Sequence, residues 1–278
     1  MIPDGLAKPV VSAACLGVLW ALEGLIPMFE DRTRRVRHDL ANLALGLFNA
    51  ILLSAVFATA TLTVTLRAEE ASFGILHRID GPSWAELVLA VVAFDAWQYL
   101  WHLLNHQIPF LWRFHAVHHS DADLDASAGL RFHSGEIFLS GAARLMILPL
   151  LGLSIGQVLA YETVLLPVIL FHHSNIRVAE SVDRRLRAVI VTPRMHWVHH
   201  SDWQPETDSN YSSIFSIWDR IFGSLQLRRD PSRIRLGLGL KEAEWNTFSG
   251  MMRMPLRLIE RSRKQPLDIA EEPGPDAG

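Results

Sequence analysis

The chain has 278 residues, of which 50% are hydrophobic and only 20% are charged, and its mean hydropathy is positive at +0.18. This composition is typical of a membrane protein rather than of a soluble enzyme. The net charge of −3 gives no support for a nucleic-acid partner, and the single cysteine, Cys15, excludes intrachain disulfides, cysteine-ligated Fe–S clusters and zinc–thiolate sites.

Four or five apolar segments are long enough to cross a bilayer, which takes about 20 residues in a helix. They cover residues 10–29, 40–66 and 84–104, and a block at 138–171 that is long enough for two helices turning near 152–157. The first segment is too long for the apolar core of a signal peptide and lacks a small-residue cleavage site. We therefore expect a retained transmembrane helix carrying one buried acid, Glu23.

The basic residues that follow the first segment predict the orientation of the chain. Arg32, Arg34, Arg35 and Arg37 should lie on the cytoplasmic side, because short cytoplasmic loops carry an excess of arginine and lysine. Alternation of the later segments then brings every histidine cluster to that same side. We predict an all-α polytopic membrane protein with about four to five transmembrane helices and a cytoplasmic helical cap that carries the histidines.

The chain divides by composition into four parts. Residues 1–83 form N-terminal transmembrane helices, 84–224 carry the histidines, and 225–264 form a cytoplasmic or interfacial segment. Within the third part, 225–264, residues 250–264 mix Met, Leu and Ile with basic residues. This pattern fits an amphipathic helix on the membrane surface or an ordinary packed surface helix. The acidic, Pro- and Gly-rich tail from Gln265 onward is expected to be disordered.

Histidines recur at helical spacing. His102 and His106 are four residues apart and share one face of a helix. The pattern H-x-x-H-H occurs twice, and we expect each copy to place its three rings on one face; the copies are His115, His118 and His119, then His196, His199 and His200. "FHHSN" adds His172 and His173, and "GLRFH" adds His133. His38 and His77 are interpreted as ordinary polar residues.

So many protonatable rings at one membrane face predict bound metal. Grouping them is costly unless a cation keeps them neutral and occupies their lone pairs. One zinc ion takes about four ligands, so this number of imidazoles indicates two ions. Nitrogen ligands favour iron, copper, nickel or zinc over magnesium or calcium, and spacing does not choose among the four. Adjacent histidine pairs argue against a bis-histidine haem, and the H-E-x-x-H of zinc proteases is absent.

Acidic and amide side chains near the clusters are candidates to orient imidazoles through the second ring nitrogen. Asp95 stands seven residues before His102, on the same helix face. The others are Asn175, Asp208, Asn210 and Asp219, which follow the histidine motifs. Helix caps and turns are an equally good interpretation of these residues.

The combined motifs resemble the fatty acid hydroxylase / sterol desaturase superfamily. "LWRFHAVHHSD", "GLRFHSGE" and "TPRMHWVHHSDWQPETDSNYSSIFSIWDRIFGS" are similar to its bacterial, sterol-desaturase-like members, and the resemblance covers residues 88–224. It implies a non-haem di-iron centre that activates O2 and hydroxylates or desaturates unactivated C–H bonds of lipids. Hydroxylation is favoured; sterols, fatty acyl chains, alkylglycerols, carotenoid-like molecules and aminolipids all remain open as substrates.

Carried over by position, the resemblance implies a set of metal ligands: His102, His106, His115, His118, His119, His173, His196, His199 and His200. His172 is a ligand or a neighbour of one. The sequence departs from the fatty-acid 2-hydroxylase branch, because Ile176 stands four residues after His172 where that branch has a further histidine. His133, in the "RFH" typical of the sterol-desaturase-like branch, is offered as the replacement.

The resemblance also implies cofactors and partners. We expect two iron ions, O2 as co-substrate, a lipid substrate taken from the bilayer, and location in a bacterial inner membrane with the site facing the cytoplasm. The chain carries no nucleotide-binding fingerprint, Fe–S cysteines or cytochrome b5-like domain. Electrons should therefore come from a separate donor of the ferredoxin or cytochrome b5 type.

Two other classes of protein remain as alternatives. A membrane metal-binding or transport protein would use ionisable residues deep within the spans, for which Glu23, Asp95, Arg144 and Glu162 are candidates. An inactive scaffold that retains a structural metal is the second, although every histidine motif is intact. Metal identity and O2 consumption would separate the three.

Overall fold

The computed structural model describes residues 4–30, 35–79, 81–239 and 245–264; the tail from Gln265 lies outside this part of the chain, as do Arg32 and Arg34. Within it the chain is helical, and extended pairing is limited to isolated bridges. The helices are α1 (Asp4–Leu25), α2 (Arg35–Glu70), α3 (Ser83–Gln107), α4 (Pro109–His119), α5 (Ser134–Leu151), α6 (Ile155–His173), α7 (Glu180–Leu186), α8 (Pro193–His199), α9 (Gln204–Thr207), α10 (Ile217–Ile221) and α11 (Phe248–Lys264). The all-α prediction is confirmed.

Four helices in the described chain are long and apolar enough to cross a membrane, namely α2, α3, α5 and α6. Only 17–28% of the residues in their most apolar windows are buried. Their apolar side chains therefore face outward, where a bilayer and not water must cover them. The protein is an integral membrane protein with the predicted number of spans, and the side on which its histidines lie remains a prediction.

The first apolar segment is shorter than predicted. Helix α1 ends at Leu25, and its apolar part, Pro9–Leu25, falls below membrane-spanning length. Residues 26–29 lie beyond the helix, and the N–H groups of Met28 and Phe29 donate to Asn175 Oδ1 at 3.1 and 2.9 Å. The apolar run is thus partly a loop docked on the end of α6.

The turn inside the 138–171 block falls where the sequence predicts it. Gly152 adopts a left-handed conformation (φ 78°), and its N–H donates to the carbonyls of Leu148 and Pro149, which closes α5. Ser154 then caps α6: its hydroxyl accepts from the Gln157 N–H at 3.3 Å, and the Gln157 side chain accepts from the Ser154 N–H at 3.0 Å. The two helices form an antiparallel hairpin.

The helices pack in pairs around the histidines. Helix α2 packs on α5, α1 on α6, and α4 lies between α3 and α11. Helix α11 is a packed helix along its first half, because Met251 and Met254 are buried against Trp245 and against Ala116 and Val117 of α4. The domain boundaries at residues 83, 224 and 264 stay predictions; the first is crossed by the α1–α6 and α2–α5 contacts.

Glu23 joins α1 to two distant segments. Its Oε1 accepts the backbone N–H groups of Ala126 and Asn175, both at 2.8 Å, and its Oε2 accepts from Arg35 at 2.8 Å. The side chain is almost fully buried. The acid predicted within the first apolar segment therefore ties α1 and α2 to the loops that carry the histidine site.

We expect Glu23→Leu to lower the apparent thermal unfolding midpoint in detergent, followed by intrinsic fluorescence. The change leaves two backbone donors buried without a partner, and each such group costs roughly 1–3 kcal/mol. Glu69→Leu, at an exposed position of α2, is the matched control and should leave the midpoint in place. Equal midpoints for the two variants would contradict this role.

Candidate metal centre

Five histidines from three helices form the first of two adjacent groups. Each offers one ring nitrogen, and these nitrogens all lie within 4.8 Å of one another. The members of this five-histidine group are His102 and His106 of α3, His115 and His119 of α4, and His199 of α8. The Nε2 atoms of His102 and His115 are 3.1 Å apart.

A four-histidine group lies beside it. Its members are His118 of α4, His173 of α6, and His196 and His200 of α8 and its C-cap. His173 Nε2 lies 3.0 Å from His118 Nε2 and 2.9 Å from His196 Nε2, and His196 Nε2 lies 3.1 Å from His200 Nε2. Nitrogens at about 2.1 Å from a shared ion and at right angles to one another stand about 3 Å apart. The spacing is that of ligands that converge on one point.

Each H-x-x-H-H motif is divided between the two groups, which differs from the single face that its spacing predicts. Consecutive residues of a helix point about 100° apart. His118 therefore faces the four-histidine group while His119 faces the five-histidine group, and His200 and His199 divide in the same way. The rings of His119 and His200 stack at 4.5 Å between the groups. Helices α4 and α8 thus form the shared wall of two neighbouring sites.

Backbone carbonyls fix the orientation of three rings. The Nδ1 atoms of His102, His173 and His199 lie 2.8, 2.7 and 2.6 Å from the carbonyl oxygens of Tyr211, Ile169 and Ser209. A carbonyl only accepts, so Nδ1 must carry the proton and Nε2 must present its lone pair. These three histidines are held in the tautomer that binds metal through Nε2.

Carboxylates orient two more rings. Glu136 Oε1 lies 2.9 Å from His115 Nδ1, and Asp208 Oδ1 lies 3.3 Å from His106 Nδ1. Glu136 is buried, whereas the Asp208 side chain is 33% exposed. A carboxylate on the outer nitrogen raises the basicity of a metal-binding histidine. Local sequence patterns do not identify Glu136 as a partner of His115, because the two residues lie 21 positions apart, on α5 and α4.

Five rings outside the membrane spans are held neutral. Burial lowers the pKa of His118, His119, His196, His199 and His200 well below the usual imidazole range, and neighbouring histidines lower it further. Neutral imidazoles are the form that binds a cation. Buried Nε2 atoms of His106 and His199 have no hydrogen-bond partner among the described residues. Such orphaned nitrogens fit a transition-metal ion.

Two predicted ligands lie outside both groups. His133 caps α5: its Nδ1 accepts the Gly135 N–H at 2.9 Å, and its Nε2 donates to the Met252 carbonyl of α11 at 3.2 Å. Both ring nitrogens are therefore used. His172 is buried and stacks on His196 at 4.1 Å, so it lies against the four-histidine group without joining it.

Asp95 and Asn175, predicted to orient imidazoles, bond to other groups. Asp95 accepts from the Tyr161 hydroxyl and the Trp218 indole, both at 2.8 Å, and from the backbone N–H groups of Ile214 and Phe215. It fastens the segment after α9 to α3. Asn175 holds residues 28 and 29, as described above.

The segment Asp208–Tyr211 is the common support of the five-histidine group, since it supplies the partners of His106, His199 and His102. Asn210 adopts a left-handed conformation (φ 49°), and its amide donates to the carbonyls of Met195 and Gln226. Asp219 accepts from the Tyr211 N–H at 2.7 Å. These two residues act on the histidines through the backbone that they shape.

His38, interpreted from the sequence as an ordinary polar residue, lies in a buried polar network at the end of α4. Its Nε2 lies 2.8 Å from Asp121 Oδ1, two residues after His119. Its Nδ1 faces Asp39 and Asp125 at 3.4 and 3.3 Å, a group close enough to hold a cation. Because both ring nitrogens already face carboxylates, we interpret His38 as an ion-paired residue that supports the end of α4 and not as a metal ligand. His77 is exposed.

An apolar cavity lies between the membrane-length helices and reaches both groups. Its volume is about 650 Å³, and its walls come mainly from α2, α3, α5 and α6. His102, His115, His118 and His173 line one end of it. A long apolar molecule in the cavity would thus reach the histidines without crossing water.

The fold and the site together define a helical membrane protein with two histidine groups, each able to hold a metal ion, at the end of an apolar cavity. The family model described as fatty acid hydroxylase matches residues 87–224. The chain belongs to the fatty acid hydroxylase superfamily, and the resemblance seen in the sequence is confirmed.

Several characterised proteins are similar to this chain. An ornithine lipid hydroxylase of Rhizobium tropici is 28% identical over 243 residues, which cover 84% of this chain and 72% of that protein. Cholesterol 25-hydroxylase of Homo sapiens is 29% identical over 152 residues, 53% of each chain. Alkylglycerol monooxygenase of Homo sapiens is 27% identical over 157 residues, 54% of this chain and 32% of that protein. The chain thus spans about half or less of the last two relatives. No solved structure matches it.

We expect Glu136→Gln to weaken metal binding by about 10–100-fold, because His115 loses the carboxylate that accepts its outer proton. Anaerobic titration of metal-free protein with ferrous ion against a competing chelator measures the change. Asp208→Asn should have a smaller effect, since its contact is longer and partly exposed. Glu86→Gln, exposed near the start of α3, is the control. An unchanged affinity in Glu136→Gln would refute the assignment.

Proposed function

We propose that the protein is an integral membrane non-haem di-iron oxygenase that hydroxylates a lipid with O2 and electrons from a separate donor. One observation carries the proposal: two adjacent buried histidine groups lie at the end of an apolar cavity that opens among membrane-length helices. Named relatives of the chain are lipid hydroxylases and a monooxygenase. An oxidoreductase that acts on a lipid is the class these features support.

The five-histidine and four-histidine groups would each hold one iron ion. All donor atoms are imidazole nitrogens, which suit iron among the transition metals. Iron bound there would supply the oxidising power needed to break an unactivated C–H bond with O2. His172 and His133 are assigned supporting positions, the first against His196 and the second between α5 and α11.

The chain's own residues perform the remaining tasks. The cavity holds the apolar part of the lipid and keeps water from the histidines. Glu136, Asp208 and the backbone carbonyls hold protons on the outer ring nitrogens, so that the inner nitrogens stay free of them. The stacked rings of His119 and His200, from the ends of α4 and α8, keep the two groups adjacent.

Hydroxylation needs two electrons and two protons, since one oxygen atom enters the C–H bond and the other leaves as water. We propose a ferredoxin- or cytochrome b5-type protein as the electron donor. We propose that the site lies on the cytoplasmic side of a bacterial inner membrane, where such donors are found. The arginines after α1 support this orientation. Hydroxylation is favoured over desaturation because the named relatives are hydroxylases and a monooxygenase.

The positions of the ionisable residues within the spans argue against the transport alternative. Glu23 and Asp95 accept backbone hydrogen bonds that hold the fold together, and Arg144 and Glu162 pair with each other. A route for ions would need such groups to face a water-filled path. The cavity walls are instead mostly apolar. The scaffold alternative is tested directly by metal identity and turnover.

Protein purified in mild detergent should contain about two irons per chain, one for each histidine group. Elemental mass spectrometry measures the content. His118→Ala and His199→Ala, one in each group, should each lose at least one iron, whereas exposed His77→Ala should retain both. Absence of bound transition metal after expression with ample iron would overturn the proposal. Bound zinc would require reconstitution with ferrous iron, and failure to consume O2 after it would also overturn the chemistry.

Cells that express the protein should accumulate a lipid carrying one added oxygen atom. High-resolution mass spectrometry of whole lipid extracts, against cells expressing His118→Ala, detects the product whichever lipid is the substrate. A lipid that lacks two hydrogens would instead indicate desaturation. Identical lipid profiles, with iron bound and a competent donor present, would leave the inactive scaffold as the better description.

A further inference from the structure

The apolar cavity contains one pair of opposite charges far from the histidines. Arg144 of α5 and Glu162 of α6 both line it, and their Nη1 and Oε1 atoms are 2.8 Å apart. Each side chain is 18% exposed. Charged residues within membrane-spanning helices are costly and rare, and they generally mark a functional position.

The depth of this pair follows from the helices that carry it. The Arg144 guanidinium lies 5.0 Å from the ring centroid of Phe94 on α3, and Phe94 is two turns from His102, or about 12 Å along the helix. On α5, Arg144 is also about 12 Å from Glu136, which contacts His115. Helices α3 and α5 therefore both place Arg144 about 12 Å along the helix axis from the five-histidine group.

Two unpartnered polar atoms belong to residues that line the cavity from the level of Phe94 toward His102. Gln98 lies one turn from Phe94 toward His102 and lines the cavity, and its buried Oε1 has no hydrogen-bond partner in the described part of the chain. The buried Nε–H of Arg144 also lacks one there. One is an acceptor and the other a donor, and buried groups of this kind are normally satisfied.

We propose that Gln98 and Arg144, the latter held by Glu162, form a hydrogen-bonding subsite for a hydroxyl or amide group of the lipid. Such a group accepts from Arg144 and donates to Gln98, which an ester, ether or hydrocarbon does not do. The subsite fixes the lipid along the cavity, so that the carbon presented to the histidines lies roughly 6–12 Å from that polar group, the rises along α3 from Gln98 and from Phe94 to His102. This inference deepens the proposed function and rests on it for the identity of the bound molecule as substrate.

The test compares probes of equal length that differ in one group. Metal-loaded protein in detergent is titrated with tetradecan-1-ol, tetradecanamide and 1-fluorotetradecane, and binding is read by native mass spectrometry. The variants are Gln98→Leu, and Arg144→Leu combined with Glu162→Leu so that no lone charge remains in the membrane. Met146→Leu, exposed on α5, is the control.

The wild-type protein and Met146→Leu should bind the alcohol or the amide about fivefold more tightly than the fluoride, roughly the effect of one hydrogen bond. That ratio should fall to about one in Gln98→Leu and in the double variant. A merely structural pair would change thermal stability and leave the ratio unmoved. Equal binding of all three probes by the wild type, or an unchanged ratio in both variants, would overturn the subsite. Iron content and O2 uptake decide the proposed function separately, because the ratio does not depend on turnover.

Discussion

The burial of imidazole rings in mutual contact is the constraint on which the rest of this structure depends. Rings whose inner nitrogens stand about 3 Å apart cannot be protonated together in a medium that excludes water. They are stable as a cluster only when each ring has a fixed tautomer and a cation occupies the lone pairs. The histidine groups therefore need supports on their outer side as much as metal on their inner side.

Those supports come from three different parts of the chain. The segment Asp208–Tyr211 bonds to three rings of the five-histidine group, and it is itself held by Asn210 and Asp219. Glu136 reaches His115 from α5. Ile169 bonds to His173 within α6. Nearby segments are held by buried acids, since Asp95 of α3 accepts the N–H groups of Ile214 and Phe215 and Glu23 of α1 accepts those of Ala126 and Asn175.

The position of the histidines at the ends of the spanning helices bears on how a lipid would reach the site. Histidines lie at the ends of α3 and α6, where spanning helices stop, and the cavity extends back between those helices. A lipid can then keep its apolar body in hydrocarbon-like surroundings while one carbon reaches the proposed metals. The two short helices α4 and α8 carry most of the histidines, and each contributes to both groups.

The sequence by itself determined the class of structure, the turn between α5 and α6, and which segments carry the clustered histidines. It did so because bilayer thickness dictates the length of a span, and helical periodicity dictates which residues can act together. Tertiary structure alone decided how the histidines divide. Spacing does not reveal that His118 and His119 serve different groups, since this depends on where α6 and α8 pack. Carbonyl partners such as Tyr211 and Ser209 leave no trace in side-chain identity, and Glu136 lies too far from His115 in the chain for local patterns to join them. Asp95 shows the converse: its spacing from His102 is right, but it accepts hydrogen bonds from Tyr161 of α6, Trp218 of α10 and the backbone before α10 instead.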